Sequence, residues 1–493
     1  MRLFWQELNN LYDKSRKLKI SEKLNLEQLK RVFDLQKKKS LVLRQESVEE
    51  RKKRLEVLKR WITVNRVKIE EAVYKDFEKP ATEVSISEIY PVITEIKHAL
   101  ANLDQWSRPK KIDAPLTYLG TRSQIRYEPR GVCLIIAPWN YPFNLCIGPL
   151  VSCLAAGNTA IIKPSEQTPH TSSLIRTMMT ELFEEDTVFV MEGGTETASM
   201  LLSLPFDHFF FTGSPAVGKI VMKAAAEHLA SVTLELGGKS PAIIDASASI
   251  REAARRIAFG KFINNGQTCI APDYILIDEK IQQSFLTELK GYIQSMFGDG
   301  GEVTESSPHY ARIVSDKHFQ RITELREEAI QRGAIVETNG SSNPQTRFMN
   351  PTILSRVSMD SKVMEAEIFG PLLPVVTFKS IDEAIAIVNN KPKPLALYVF
   401  SNNRVSTQKI LEQTSAGGVC INDTVLQFAH PELPFGGVNN SGTGNSHGYY
   451  GFLTFSHQKP VLRQKRGFAF AYFLYPPYTG RVKKTIDMLL RWF

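Results

Sequence analysis

The chain has 493 residues, 43% of them hydrophobic and 23% charged, and its 61 Lys/Arg exceed its 52 Asp/Glu to give a formal net charge of +9. These proportions exclude a disordered, collagen-like or disulfide-stapled chain, and the length suffices for a large core split into roughly two to four domains. The positive charge is terminal: residues 1–60 hold 18 basic and 9 acidic groups, residues 461–493 hold 7 and one (Asp487), and the 400 residues between them are net −6. A nucleic-acid binder needs a basic face with interleaved aromatics on its folded body, so a mildly acidic body argues against that class.

The opening residues read as helices, with Leu55, Leu58, Trp61 and Ile62 at helical spacing; Lys37–Lys39 and Arg51–Arg54 are expected on a solvated helix face. Pro109–Pro115 breaks the pattern, and residues 117–129 (TYLGTRSQIRYEP) predict a hairpin around Gly120. From Gly131 short apolar runs alternate with helical segments such as Ser172–Phe183 and Val217–Leu229. The runs at 131–138, Ala160–Lys163, 188–194, 208–214 and 240–248 form a first set of buried parallel strands. Tyr274–Ile277, Pro374–Phe378, Ala396–Phe400 and Gly418–Ile421 form a second. Two α/β blocks with separate sheets predict two domains and a cleft. There is no internal repeat.

The five cysteines (Cys133, Cys146, Cys153, Cys269 and Cys420) have no CxxC or metal-ligand spacing, which points to a reducing, cytoplasmic setting without a metal. MRLFWQELNN lacks a signal-peptide pattern, and the apolar stretch Phe468–Tyr475 is too short to span a bilayer.

Four stretches are candidates for chemistry. In FTGSPAVGK (211–219) a strand ends at Gly213 and a helix carries Gly218, a turn whose amides suit a phosphate although its spacing is not GxGxxG. In LELGGKSP (234–241) Glu235 sits among leucines; burial there raises a carboxyl toward neutrality and makes it a general base, unless it accepts hydrogen bonds from the Gly237-Gly238 turn. In GKFINNGQTCIAP (260–272) Cys269 lies on a polar loop, whereas the other four cysteines read as small hydrophobes; no histidine neighbours it. In APWNYPFNL (137–145) Asn140 is either a turn residue or an amide donor to an oxyanion.

Taken together, PWNYP, KPSEQTP, FTGSPAVGK, LELGGKSP, GQTC, EIFGP (367–371) and LPFGGVNNSG (433–442) resemble the aldehyde dehydrogenase superfamily in order and approximate spacing, from about Arg31 to Pro477. The helical lead and the YPPYTG tail are most similar to its class-three branch, whose members oxidise aromatic and fatty aldehydes. The resemblance implies an α/β fold with a Rossmann-type cofactor domain (27–108 and 132–235), an α/β catalytic domain (236–430) and a small β bridging and oligomerisation element (109–131 and 431–462). A helical lead (1–26) and a tail with an amphipathic helix (463–493) complete the chain.

The same resemblance implies that Cys269 attacks the aldehyde, that Asn140 and the Cys269 amide hold the oxyanion of the thiohemiacetal, and that Glu235 activates the water that hydrolyses the thioester. Glu367 and Phe369 would hold the nicotinamide ribose and ring, Lys163 and Glu166 the adenosine ribose, and Gly213 and Gly218 would open the helix near the pyrophosphate. Lys163 or the cofactor ring is expected to lower the thiol pKa. NAD is the expected cofactor because Glu166 repels a 2′-phosphate, with NADP also accepted in this branch.

Two rivals are a CoA-acylating aldehyde dehydrogenase, against which Glu235 speaks, and a catalytically silent protein of this fold, against which the full set of residues speaks. A small-molecule aldehyde, no nucleic acid, and a homodimer are the expected partners. In the tail, Val482, Ile486, Leu489, Leu490 and Phe493 share a helical face with basic residues elsewhere, the pattern of a helix at a membrane surface or one docked on protein. Tyr141 and the aromatic stretch Tyr449–Phe455 are expected to line an apolar substrate tunnel, unless those aromatics are core.

Overall fold

The computed structural model describes residues 26–467 and 469–492; Phe493 of the tail pattern lies outside them. Helices at 26–43, Val48–Val64, Arg66–Phe77 and Tyr90–Trp106 form the N-terminal part. The periodic residues Leu55, Leu58, Trp61 and Ile62 face inward and are buried. Arg51 departs from the solvated face expected of its run. It is buried at the end of the helix Asn144–Ala156, with Nη1 3.5 Å from the Ala155 carbonyl. A cation there meets the negative end of the helix. Gly157 makes the approach feasible, since a Cβ at its φ of +89° would lie 2.8 Å from the Arg51 Cζ.

Continuous apolar runs such as VCLII (Val132–Ile136) and TAIIK (Thr159–Lys163) are buried along their whole length, as strands covered on both faces must be. They belong to a six-stranded sheet in the order Gly442–Thr443, Ser231–Leu236, His208–Gly213, Val132–Ile136, Thr159–Lys163, Val188–Val190. All neighbours are parallel except the first pair. The five parallel strands run 5-4-1-2-3 in chain order, so the winding reverses between Val132–Ile136 and His208–Gly213. Ligand crevices form at the carboxyl ends of strands at such a reversal.

The second sheet has seven strands: Ile335–Val336, Thr352–Ser355, Leu372–Phe378, Tyr274–Asp278, Pro241–Ile244, Ala396–Phe400 and Gly418–Ile421. The run at 240–248, expected with the first set, therefore belongs here. Strand Ser231–Leu236 closes the parallel part of the first sheet, and the Gly237–Ser240 turn carries the chain across to the second. Alternation of strands and helices gives no sign of which sheet a strand joins.

A separate three-stranded antiparallel sheet is formed by Lys110–Ile112, Thr121–Pro129 and Ser456–Gln464. Its first hairpin pairs Lys110–Ile112 with Ser123–Ile125, so the turn spans 113–120 rather than centring on Gly120 as expected. The last helix, Gly480–Trp492, has no buried residue.

Candidate active site

Cys269 is placed by a short, strained loop. Helix Ile250–Phe262 ends and passes into a turn at Ile263–Gly266, where Asn264 and Asn265 both adopt left-handed backbone at φ 54° and 56°. The Asn264 side chain donates to the carbonyls of Asn140 (2.7 Å) and Gln267 (3.1 Å), and the Asn265 side chain donates to Ala311. Asparagine is well suited to such backbone because its side chain bonds locally. Gln267 is tied on both ends of its amide, donating to Asn264 and Arg312 and accepting from the Val314 N–H. The cysteine that follows thus sits on a rigid loop.

Asn140 comes from the other side, just past the carboxyl end of Val132–Ile136. It is 3% exposed and donates one amide hydrogen to the Gln267 carbonyl at 3.0 Å, which leaves the second for a ligand. Beside it the Tyr141 hydroxyl meets Thr268 Oγ1 at 2.7 Å. Glu235 ends the strand Ser231–Leu236, is 5% exposed, and accepts from Ser446 Oγ at 3.1 Å. That serine is delivered by the antiparallel pairing of Gly442–Thr443 with Leu234–Glu235. The Gly237-Gly238 turn does not hold Glu235; the Gly238 amide bonds to Glu367 instead.

Three cavities converge here. One of about 30 Å³ is bordered by Glu235, Cys269, Ser446 and Thr212, and is large enough to hold a water. A second of about 450 Å³ runs outward between Ile86, Tyr90, Tyr141, Phe259, Leu426 and Phe428. A third of about 230 Å³ lies at the reversal point of the first sheet, lined by Trp139, Asn140, Gly213, Glu235, Gly237, Cys269, His318, Arg321, Glu367 and Phe369. Cys269 and Leu145 border all three.

The electrostatics are set by burial. Burial pushes the Cys269 thiol up to about 12, helped by the charges of Glu367 and Glu235, against the pull of the Cys269 and Ile270 backbone N–H groups. Glu235 is held well above the usual carboxylate range by burial, which the Ser446 bond only partly offsets. Burial and the neighbouring Asp273 raise Glu367 to about 8, against the Gly238 N–H, Lys239 and Arg321. Lys163 does not lower the thiol as expected. Its ammonium is spent on Glu166 Oε2 (2.9 Å) and the Pro164 carbonyl (3.1 Å), away from the cavity.

Six of the nine residues singled out from sequence therefore border the third cavity: Cys269, Glu235, Asn140, Gly213, Glu367 and Phe369. Lys163 and Glu166 pair with each other past the end of the strand Thr159–Lys163, and Gly218 does not open the helix. Pro215 begins that helix, with Ser214 as its cap accepting from the Val217 N–H. Gly218 lies within it against the sheet, where a Cβ would come 2.8 Å from Leu236 Cδ2. The stretch Tyr449–Phe455 is mainly core: Tyr449 and Phe452 pack on Trp106, and Gly451 and Phe455 border the 30 Å³ cavity, while Tyr141 does line the tunnel as expected. Sequence reasoning gave Gln267 of GQTC no role of its own and missed Ser446 and Arg321, the latter holding the Glu367 and Ile368 carbonyls through its guanidinium. Nothing in their local pattern marks them.

The third cavity suits a dinucleotide. Glu367 Oε1 and Glu235 Oε2 are buried without a hydrogen-bond partner among the described residues, as acceptors awaiting hydroxyl or water donors would be. At Gly237 a Cβ would strike the Glu367 carboxyl at 2.3 Å, so glycine keeps the cleft open. The helix from Pro215 begins at this cavity, with Gly213 and Ser214 in its wall, so the positive end of its dipole lies there for a phosphate, and Trp139 and Phe369 meet edge to face at 5.2 Å beside it. Among the described residues no cluster of three or more His, Cys, Asp or Glu is placed to hold a metal.

A doubly wound sheet with a crevice at its reversal point, facing a second α/β unit that presents a thiol, defines a dinucleotide-dependent oxidoreductase. Residues 13–461 match the model of the Aldehyde dehydrogenase family. The chain is 45% identical over 433 residues to 4,4′-diaponeurosporen-aldehyde dehydrogenase of Staphylococcus aureus, covering 88% of this chain and 93% of the relative. It is 41% identical to aldehyde dehydrogenase family 3 member A2 of Rattus norvegicus, covering 87% of each. The solved structure of substrate-bound Staphylococcus aureus AldH superposes with a TM-score of 0.89 at 42% identity, covering 94% of this chain and 99% of that one. The chain belongs to the aldehyde dehydrogenase family, as an NAD(P)-dependent enzyme of the mixed α/β fold that the motifs implied.

Proposed function

We propose that the enzyme oxidises apolar aldehydes, fatty or aromatic, to carboxylic acids through covalent catalysis on Cys269. The observation that carries this reading is the convergence of three cavities on that one thiol: an apolar tunnel, the cleft at the reversal point of the first sheet and a water-sized chamber bordered by Glu235. The tunnel takes roughly fifteen methylene-sized groups at about 30 Å³ each, the share of one water in the liquid.

Cys269 Sγ attacks the carbonyl carbon, and its proton goes to a base as it does so, since a thiol held near 12 is not ionised beforehand. Water of the adjoining chamber takes that proton, which leaves Glu235 for the second half of the reaction. The oxyanion of the thiohemiacetal accepts from the free amide hydrogen of Asn140 and from the Cys269 N–H. NAD or NADP, when bound, supplies the hydride acceptor. Glu367 and Phe369, on the wall of the third cavity, would orient it. Loss of hydride leaves an acyl thioester on Cys269. Glu235 then takes a proton from water in the chamber, the hydroxyl adds to the thioester, and the acid leaves as the thiol is regenerated. The presence of Glu235 on the chamber beside the thiol favours hydrolysis over transfer to CoA.

Replacing Cys269 by Ala tests the reading: turnover is abolished while cofactor affinity stays within a few-fold. Residual turnover near wild type overturns it. A series of aldehydes of rising chain length defines the substrate, with kcat/KM rising until the tunnel is filled.

The homodimer is supported by exposed Val217, Ile220, Met222 and Leu229 along the helix Pro215–Glu227 and just beyond it, and by the open edge of Ser456–Gln464. Light scattering of wild type against Ile220→Asp reads it out, a monomeric wild type counting against it. Peripheral membrane contact is supported by Ile486 and Leu490, exposed on the apolar face they share with Val482 and Leu489, with Arg481, Lys483, Lys484 and Arg491 elsewhere on the tail helix. Equal pelleting with anionic vesicles by the full chain and a version ending at Tyr478 counts against it. No helix of the described residues is long and apolar enough to cross a membrane. The five free cysteines support a reducing, cytoplasmic setting.

A further inference from the structure

Behind the oxyanion site lies a buried charge cluster that the mechanism above does not use. Lys79, Glu83 and Glu88 are 0%, 8% and 0% exposed. The Lys79 ammonium bonds Glu88 Oε1 at 3.0 Å and sits 4.0 Å from the centre of the Tyr141 ring. The second oxygen of Glu88 accepts from the backbone N–H groups of Phe143 (3.2 Å) and Asn144 (2.9 Å), so it caps the helix Asn144–Ala156, whose own N-cap residue supplies no side-chain bond. Glu83 accepts from the Asn264 N–H at 2.8 Å. One acid thus grips the segment that carries Asn140, and the other grips the loop that carries Cys269.

Five residues separate the two acids, which on an ordinary α-helix sets them about 140° apart. Here the helix widens into a π turn over Ser85–Ile89, which narrows that angle and brings both carboxylates toward Lys79. Burying three ionisable groups is costly unless their geometry is used for something. The two gripped segments meet through the Asn264 and Asn140 side chains, both of which converge on the Gln267 carbonyl, and through the Tyr141 and Thr268 hydroxyls.

We propose that Lys79, Glu83 and Glu88 are positioning residues for the reaction, a clamp that fixes the separation between the Asn140 amide and the Cys269 N–H so that both donors reach the same oxyanion. The proposal rests on the reading of Cys269 given above. A misplacement of about 1 Å in such a pair costs on the order of 100-fold.

Glu83 is the member to vary, because removing Lys79 leaves Glu88 buried and unpaired and endangers folding. Its carboxyl is pushed up to about 7 by burial, against the pull of Lys79 and of the Asn264 N–H, so the neutral amide of Gln is a close substitute that keeps an acceptor for that N–H. Glu83→Ala and Glu83→Gln are compared with wild type by rapid-mixing measurement of the first hydride transfer, aldehyde KM, cofactor Kd and Tm. Glu83→Ala is expected to slow hydride transfer about 10- to 100-fold with KM and Kd within about threefold, and Glu83→Gln to recover to within about threefold of wild type. The proposal is overturned if Glu83→Ala transfers hydride at the wild-type rate, if its loss is matched by lost cofactor binding or lost folded protein, or if Gln rescues nothing. Cys269→Ala run in parallel separates the two ideas: an active Cys269→Ala sinks the covalent reading itself, whereas an inactive one beside a fully active Glu83→Ala sinks only the clamp.

Discussion

Glu235→Gln isolates the hydrolytic half of the reaction. The substitution keeps the side-chain length and leaves a carbonyl oxygen to accept from Ser446 Oγ, now at 3.1 Å from the carboxylate. What it removes is basicity. General-base catalysis contributes about 10²–10⁴ in rate, or about 3–5 kcal/mol of barrier. Because the Cys269 proton leaves through water, that loss falls on deacylation. Stopped-flow absorbance should then show one equivalent of reduced cofactor per subunit formed rapidly, followed by a slow phase, and mass spectrometry of the quenched enzyme should find the acyl group on Cys269. Burial holds Glu235 well above its ordinary range, so the wild-type rate is expected to climb with pH beyond the usual carboxylate range, as the carboxylate form is populated. The Gln variant should lose that rise. A variant that turns over at the wild-type steady rate, or a pH profile that is unchanged, refutes the assignment; loss of the burst together with steady turnover makes Glu235 the base for the thiol as well.

Glu367→Gln should raise thermal stability at alkaline pH. The folded carboxyl is held at about 8 against 4.5 when unfolded, so its ionisation works against the fold, with no effect below about pH 4.5 and a cost of roughly 3–5 kcal/mol above pH 8. The variant therefore melts higher than wild type at pH 9 and equally at pH 4.5, and calorimetry that finds no such divergence counts against the buried environment. Gly218→Ala forces a methyl to within 2.8 Å of Leu236 Cδ2 and should cost about 1–3 kcal/mol, with Leu236→Ala added to it relieving part of the loss. A Gly218→Ala protein that melts like wild type would show that the helix from Pro215 does not pack as tightly as described.

The individual strands were legible because a buried strand needs an unbroken apolar run, and VCLII or TAIIK can be little else. Which sheet each strand joins was not, as Pro241–Ile244 illustrates: its partners Tyr274–Asp278 and Ala396–Phe400 are distant in sequence, and nothing local encodes the crossing. Arg51 was misjudged for a related reason. A basic run reads as solvated unless a helix end is known to lie above it, and the carboxyl end of Asn144–Ala156 is more than ninety residues away.

The site divides along the same line. The sequence by itself determined the chemical groups, since a cysteine on an amide-rich loop, a glutamate among leucines and an asparagine after a strand are local facts, and their order along the chain carried the family. Only the tertiary structure decided their electrostatics and their company. It moved Lys163 away from the thiol, raised Cys269, Glu235 and Glu367 together by enclosing them, supplied Ser446 from over two hundred residues beyond Glu235, and set Lys79, Glu83 and Glu88 behind the two loops. A pKa depends on solvent and on every charge within a few ångströms, and those neighbours are fixed by how the sheets face each other, which no stretch of sequence contains.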